Sequence, residues 1–141
     1  MKCHVVAIAI AATFFTAPPL AAAPFAYISN QLDDSISIID TEQGKVVDTI
    51  RVYGKPAGVA VAPAGDKVYV STPEAKGFAI IDVKKREVIA TVAVSDGALG
   101  ITVGADGKRI FVADWYNNNV DVIDAESLKV IKTIPVGESP S

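Results

Sequence analysis

The densest group of recognition-type side chains in the sequence is "DWYNNN", residues 114 to 119. Trp115 and Tyr116 could stack on a sugar ring or a partner side chain, and Asn117, Asn118 and Asn119 could add hydrogen bonds. These residues define a candidate ligand- or partner-binding site at Trp115, Tyr116, Asn117 and Asn118. The plainer reading packs Trp115 on a neighbouring unit and leaves the asparagines to make a turn. The large apolar area that such a junction needs favours it. Asp33 with Asp34, and Asp114 among the asparagines, are the groups nearest to an oxygen-only calcium site, against the simpler role of loop solvation. No pair of carboxylates has a spacing that calls for acid–base catalysis. "GKPAG" (54 to 58) lacks the order of a phosphate-binding loop.

What is missing narrows the chemistry further. Residues 1 to 23, "MKCHVVAIAIAATFFTAPPLAAA", have a basic start at Lys2, an apolar run from Val5 to Phe15 and a small-residue tail. They read as a secretory signal peptide cut near Ala22, with an uncleaved membrane anchor as the rival. The remaining chain is then expected in the periplasm or outside the cell, with no membrane association after cleavage. It holds no cysteine, histidine or methionine. Disulfides, thiol nucleophiles and a Ser-His-Asp triad are excluded, as are zinc, copper and a haem held by His, Met or Cys. No metal and no cofactor is expected. Loss of Lys2 moves the formal net charge from −3 to −4. A mildly acidic body without a basic cluster argues against nucleic acid as partner. The dense run "VKKRE" (83 to 87) reads as a solvated hairpin tip.

The elements that would carry these residues repeat. "ISIIDTEQGKVVDTI" (36 to 50), "FAIIDVKKREVIATV" (78 to 92) and "VDVIDAESLKVIKTI" (120 to 134) align without a gap, placing Asp40, Asp82 and Asp124 at one interval. Full copies span 26 to 67 and 68 to 109, with a shorter one at 110 to 141. Segments such as "VYVS", "FAII" and "GITV" are rich in β-branched and aromatic residues and are separated by turn formers. In "SISIID", Ile36 and Ile38 alternate with Ser35 and Ser37, a half-buried strand pattern. At the equivalent of Ser37 the second copy has Ala79, so that strand is expected to be covered on both faces. The three aspartates each close a strand, where a carboxylate accepts hydrogen bonds from the amides just downstream. Gly65 in "AGDK" and Gly107 in "ADGK" supply the positive φ of hairpin turns.

Four short strands in roughly 42 residues make one blade of a β-propeller, a sheet with two apolar faces that only neighbouring blades can cover. The fold class is therefore all-β: a propeller arc of three four-stranded blades over 24 to 141, the first blade lacking its inner strand. Such an arc leaves two apolar faces in water and an unpaired inner edge on the first blade. Two readings follow: a piece of a larger propeller, or a chain that closes as a homo-oligomer.

The anchors "AYISNQLDDSISIIDTEQGKVVDTI" and "PAGVAVAPAGDKVYVS" resemble the YVTN repeat of bacterial and archaeal β-propellers, over residues 26 to 141. The second copy departs from it at Thr72 and Ala98. The resemblance implies an exported propeller, in most members without known catalysis. Similar propellers accompany quinone-dependent catabolic dehydrogenases, and more distant ones are lactonases or carry haem d1. The function expected is that of an exported, non-catalytic binding scaffold for an unidentified protein or small molecule. The alternative is a fragment or accessory subunit of an exported, quinone-linked dehydrogenase system. Candidate ligands would meet the face carrying the loops 30 to 35, 53 to 58, 72 to 77, 95 to 100 and 114 to 119.

Overall fold

The computed structural model describes residues 24–141, so the signal-peptide reading of 1 to 23 lies outside the described residues. Eleven strands form three antiparallel sheets. The first contains β1 (Phe25–Asn30), β2 (Ser35–Asp40) and β3 (Lys45–Arg51). The second contains β4 (Val59–Val61), β5 (Lys67–Thr72), β6 (Gly77–Asp82) and β7 (Glu87–Ala93). The third contains β8 (Ala98–Val103), β9 (Arg109–Asp114), β10 (Asn119–Asp124) and β11 (Val130–Pro135). In each sheet the strands lie side by side in chain order. These are propeller blades, called blades 1 to 3, and the first has three strands among the described residues, as the sequence led one to expect.

Two apolar clusters sit between the blades. Ile36, Ile38, Ile50 and Val52 of blade 1 meet Val68, Val70, Ala79 and Ile81 of blade 2. Tyr69, Phe78 and Ile80 of blade 2 meet Ala98, Ile110, Val112 and Ile123 of blade 3. β6 thus feeds alternate side chains to both clusters, and its residues Gly77 to Ile81 are all buried, as the Ala79 substitution suggested. Tyr69 and Phe78 meet edge to face, with centroids 6.2 Å apart.

The turn chemistry also repeats. Asp40 Oδ1 accepts from the amides of Glu42 and Gln43, Asp82 Oδ1 from Lys85, and Asp124 Oδ1 from Ser127. Each of these turns ends on a left-handed residue: Gly44, Arg86 and Leu128, with φ of 62°, 57° and 57°. The first copy has the glycine that conformation favours, and the other two hold it with side chains. "VKKRE" is only partly a free tip. The Arg86 guanidinium carbon lies 5.4 Å from the centre of the Phe25 ring, and Nη1 reaches Asp48 Oδ2 at 3.3 Å, so this arginine ties blade 2 to blade 1.

The hairpins β2–β3, β6–β7 and β10–β11 each carry a β-bulge at the same place. Register shifts between Ile38 and Ile39, between Ile80 and Ile81, and between Val122 and Ile123. The extra residues are Val47, Ile89 and Ile131. A bulged residue has no partner across the ladder, and all three lie on edge strands with their side chains exposed.

Candidate functional site

The loops β1–β2, β5–β6 and β9–β10 converge at one end of the arc with the loops that lead into the next blade. Gln31–Asp33 and Pro73–Ala75 are single 3-10 turns. In blade 3 the corresponding turn is built by Asp114, which is 1% exposed. Its Oδ1 accepts from the amides of Tyr116 and Asn117, each at 3.1 Å, and its Oδ2 from Asn117 Nδ2 at 2.7 Å. Burial raises the Asp114 pKa, but these bonds together outweigh it and hold the carboxyl below the ordinary value.

The incoming loops lie against these turns with no space to spare. The carbonyl of Gly97 accepts from the Trp115 amide at 2.9 Å. In the preceding blade junction, Pro73 stands where Trp115 stands and has no N–H, so the next residue, Glu74, donates instead, to Gly54 O at 3.1 Å. A Cβ on Gly97 would collide with Asp114 Oδ1 and come within 2.7 Å of the Tyr116 amide nitrogen. Glycine is therefore what lets the two blades approach here.

Between these loops lies an open cleft of about 400 Å³, lined by Gln31, Leu32, Lys55, Pro73, Glu74, Gly97, Leu99, Trp115 and Tyr116. All three blades contribute. Trp115 is 39% exposed, Tyr116 73% and Leu32 85%. Aromatic and aliphatic surface thus faces water around a cleft whose charged lining residues, among the described residues, are Lys55 and Glu74. Lys55 is set in place by Asp34. Its amide donates to Asp34 Oδ1 at 2.9 Å, its Nζ lies 3.9 Å from Oδ2, and Nζ also donates to Leu32 O at 3.4 Å. The Lys55 amide, aided by its charge, holds the Asp34 carboxyl below the ordinary value against partial desolvation. An amphipathic cleft with stacking surface, one cation and one carboxylate can seat a ligand. It shows no nucleophile–base pair, and among the described residues no group of three or more His, Cys, Asp or Glu could hold a metal ion.

The four residues singled out from the sequence separate. Trp115 and Tyr116 line the cleft. Asn117 spends its amide on Asp114, and Asn118 takes the left-handed conformation (φ 53°) while its Oδ1 accepts from the Ser139 amide at 3.0 Å. Asp33 and Asp34 serve as loop acceptors, Asp33 through its carbonyl, which Arg51 reaches. The sequence pointed to all five loops. The constant 42-residue offset of the loops placed them on one face, but it did not show that Gln31, Leu32, Lys55, Pro73 and Leu99 line one cavity.

A family model described as the cytochrome D1 heme domain matches residues 21–141. The chain belongs to that family. Three solved structures are similar to it in fold. Hydrazine synthase from Kuenenia stuttgartiensis is 28% identical, with a TM-score of 0.79 over 84% of this chain and 35% of that one. Apo AztD from Citrobacter koseri is 27% identical, with a TM-score of 0.64 over 77% of this chain and 31% of that one. The dihydro-heme d1 dehydrogenase NirN in complex with DHE shares the fold at 20% identity, with a TM-score of 0.64 over 93% of this chain and 28% of that one. The chain thus spans about a third of the length of these relatives. No curated protein matches by sequence.

The family raises the question of a haem. Residues 24 to 141 contain no His, Cys or Met, since His4, Cys3 and Met1 all precede them. Tyr116 brings a phenol to the cleft, but no arginine lines it to favour a phenolate. These residues do not fit axial ligation of a haem iron, and no iron chemistry is assigned to them.

Proposed function

We propose that this chain is part of an exported propeller of the YVTN-repeat type that binds rather than transforms, with the cleft at the loop face as its seat. The observation that carries the reading is the convergence of loops from three blades on one amphipathic cavity, with Trp115 and Tyr116 left exposed beside Lys55 and Glu74. Stacking surface that is solvated in the free protein is what a recognition surface keeps available. The lack of an acid–base or nucleophilic pair there supports a non-catalytic role.

Trp115 is the sole tryptophan of the chain, so its fluorescence reports on the cleft directly. Titration of the exported chain with a sugar series, with hemin and with a soluble c-type cytochrome is expected to give saturable quenching by one class, weakened about tenfold or more in Y116A. Quenching that is linear in every ligand and unchanged in Y116A would sink the reading.

A second reading is favoured by one observation. The family match is to a heme domain, and the NirN neighbour is a dihydro-heme d1 dehydrogenase. On that reading the chain is a fragment or accessory subunit of an exported redox enzyme system, a quinone-linked dehydrogenase assembly included, with its chemistry carried elsewhere. Saturation by the cytochrome, or a Soret band shifted on adding hemin, selects it.

A further inference from the structure

The repeat sets three different side chains at one place on successive blades of the loop face. Leu32, Glu74 and Tyr116 are 42 residues apart, and each stands second in the turn after its strand β1, β5 or β9. All three are exposed, and all three line the cleft. The row therefore presents a carboxylate between an aliphatic and an aromatic side chain, with the Trp115 indole adjoining Tyr116.

The charges around that row do not cancel. Lys55 in the loop 53 to 58 has Gly97 as its counterpart in the loop 95 to 100, so the cleft receives a cation from the first of these loops and none from the second. That cation is already engaged, with Asp34 Oδ2 at 3.9 Å and Leu32 O at 3.4 Å. Lys76, two residues beyond Glu74, is held by Asp96 at 3.0 Å. Glu74 uses its amide on Gly54 O, and among the described residues no salt bridge engages its carboxylate. Over the five loops Asp33, Asp34, Glu74, Asp96 and Asp114 stand against Lys55 and Lys76, and Arg51 at their edge donates to the Asp33 carbonyl. The face is net negative even with Arg51 included. Such a field draws cations and repels anions.

We propose that the cleft takes a small organic cation, an ammonium group on an apolar body; this rests on the reading of the cleft as a binding seat. The head meets Glu74, Trp115 and Tyr116. There the carboxylate supplies an opposite charge, and the aromatic rings attract a cation through their quadrupoles. The body lies on Leu32, Pro73 and Leu99. A cavity of about 400 Å³ is at the lower end of small-molecule sites, which fits a compact ligand. Lys55 does not compete for Glu74, because Asp34 and the Leu32 carbonyl fix it on the blade 1 side.

Three probes of similar shape separate charge from fit: phenethylamine, phenethyl alcohol and hydrocinnamate. Trp115 emission of the exported chain at neutral pH is expected to saturate with the amine, about tenfold more weakly with the alcohol, and not with the carboxylate. E74Q is expected to weaken the amine about threefold to fivefold and to leave the alcohol unchanged. Added salt weakens the amine alone. Because the Glu74 side chain is exposed, E74Q leaves the fold intact, and the comparison among probes reads the site with no substitution at all. Equal affinity for amine and alcohol, an amine affinity unchanged in E74Q, or no saturation by the amine at millimolar concentration would each overturn the proposal. Saturable quenching by the alcohol or the carboxylate in place of the amine would do so and leave the cleft a binding site. Linear quenching by all three, and by the sugars, hemin and the cytochrome as well, would remove the site itself.

Discussion

Gly97 has room for a hydrogen and nothing larger. In G97A the new methyl meets Asp114 Oδ1 and two backbone nitrogens, none of which is the free end of a flexible side chain. The turn carrying Trp115 must shift, at a cost of about 1–3 kcal/mol. Urea unfolding and the Trp115 emission maximum are expected to change together. Asp114 itself gives a pH signature. Its pKa is lowered in the folded state, so its contribution is complete above the ordinary value of 3.8 and is lost as pH falls through the folded value. D114N puts an NH2 group where Asn117 Nδ2 needs an acceptor. It is expected to lose about 1–3 kcal/mol at neutral pH, with the gap from wild type closing as the medium is acidified below that range. Denaturant titrations at several pH values measure this, and a gap independent of pH would show that the carboxylate is not what holds the turn. The sequence showed an aspartate before three asparagines, which fits a ligand site and a turn equally well. What decides between them is the near-complete burial of the carboxylate, a tertiary property that no local pattern carries.

At the scale of the elements, apolar burial outweighs the exposed ties between blades. Ile81 is fully buried in the cluster between blades 1 and 2, and I81A is expected to cost about 2–5 kcal/mol. Arg86 links the same two blades through half-exposed contacts to Phe25 and Asp48, and R86A is expected to cost no more than about 1 kcal/mol. Thermal unfolding of the two variants side by side checks the order. S71A is an intermediate case. The hydroxyl is fully buried between two blades, and its loss strands both the Gly58 amide and the Leu99 carbonyl, at about 1–3 kcal/mol. The strands were legible because β-branched runs and turn residues alternate at a fixed interval. Two element-level features were not. The bulges at Val47, Ile89 and Ile131 leave the spacing between copies unchanged, so an ungapped alignment cannot reveal them. The left-handed turn ends at Arg86 and Leu128 hide behind residue types that give no hint of that conformation, and Gly44 in the first copy was the only clue.

Across the whole molecule, one face of each blade has the same make-up. Tyr27, Ile36, Ile38, Ile50 and Val52 of blade 1 pack against blade 2, and Tyr69, Phe78, Ile80, Val92 and Val94 of blade 2 pack against blade 3. The matching residues of blade 3 are Phe111, Val120, Val122, Ile134 and Val136, with Ile134 and Val136 left 36% and 41% exposed. This surface is as apolar as the two that are covered. Residues 24 to 141 prepared alone are expected to associate with rising concentration, and I134K to reduce that association with little cost to folding, as read by sedimentation velocity. Equal masses for the two proteins at every concentration would remove the face from consideration. The arc and its uncovered sides were readable from three ungapped copies; the cleft was not, because it belongs to no single copy. Its walls come from loops on three successive blades, so its width is fixed by the angle through which each blade is turned from the last. A circle of six blades steps by about 60° and one of eight by about 45°. The same side chains would stand farther apart or closer together in one circle than in the other, and the size of molecule admitted would be set by the number of blades as much as by the residues at the mouth.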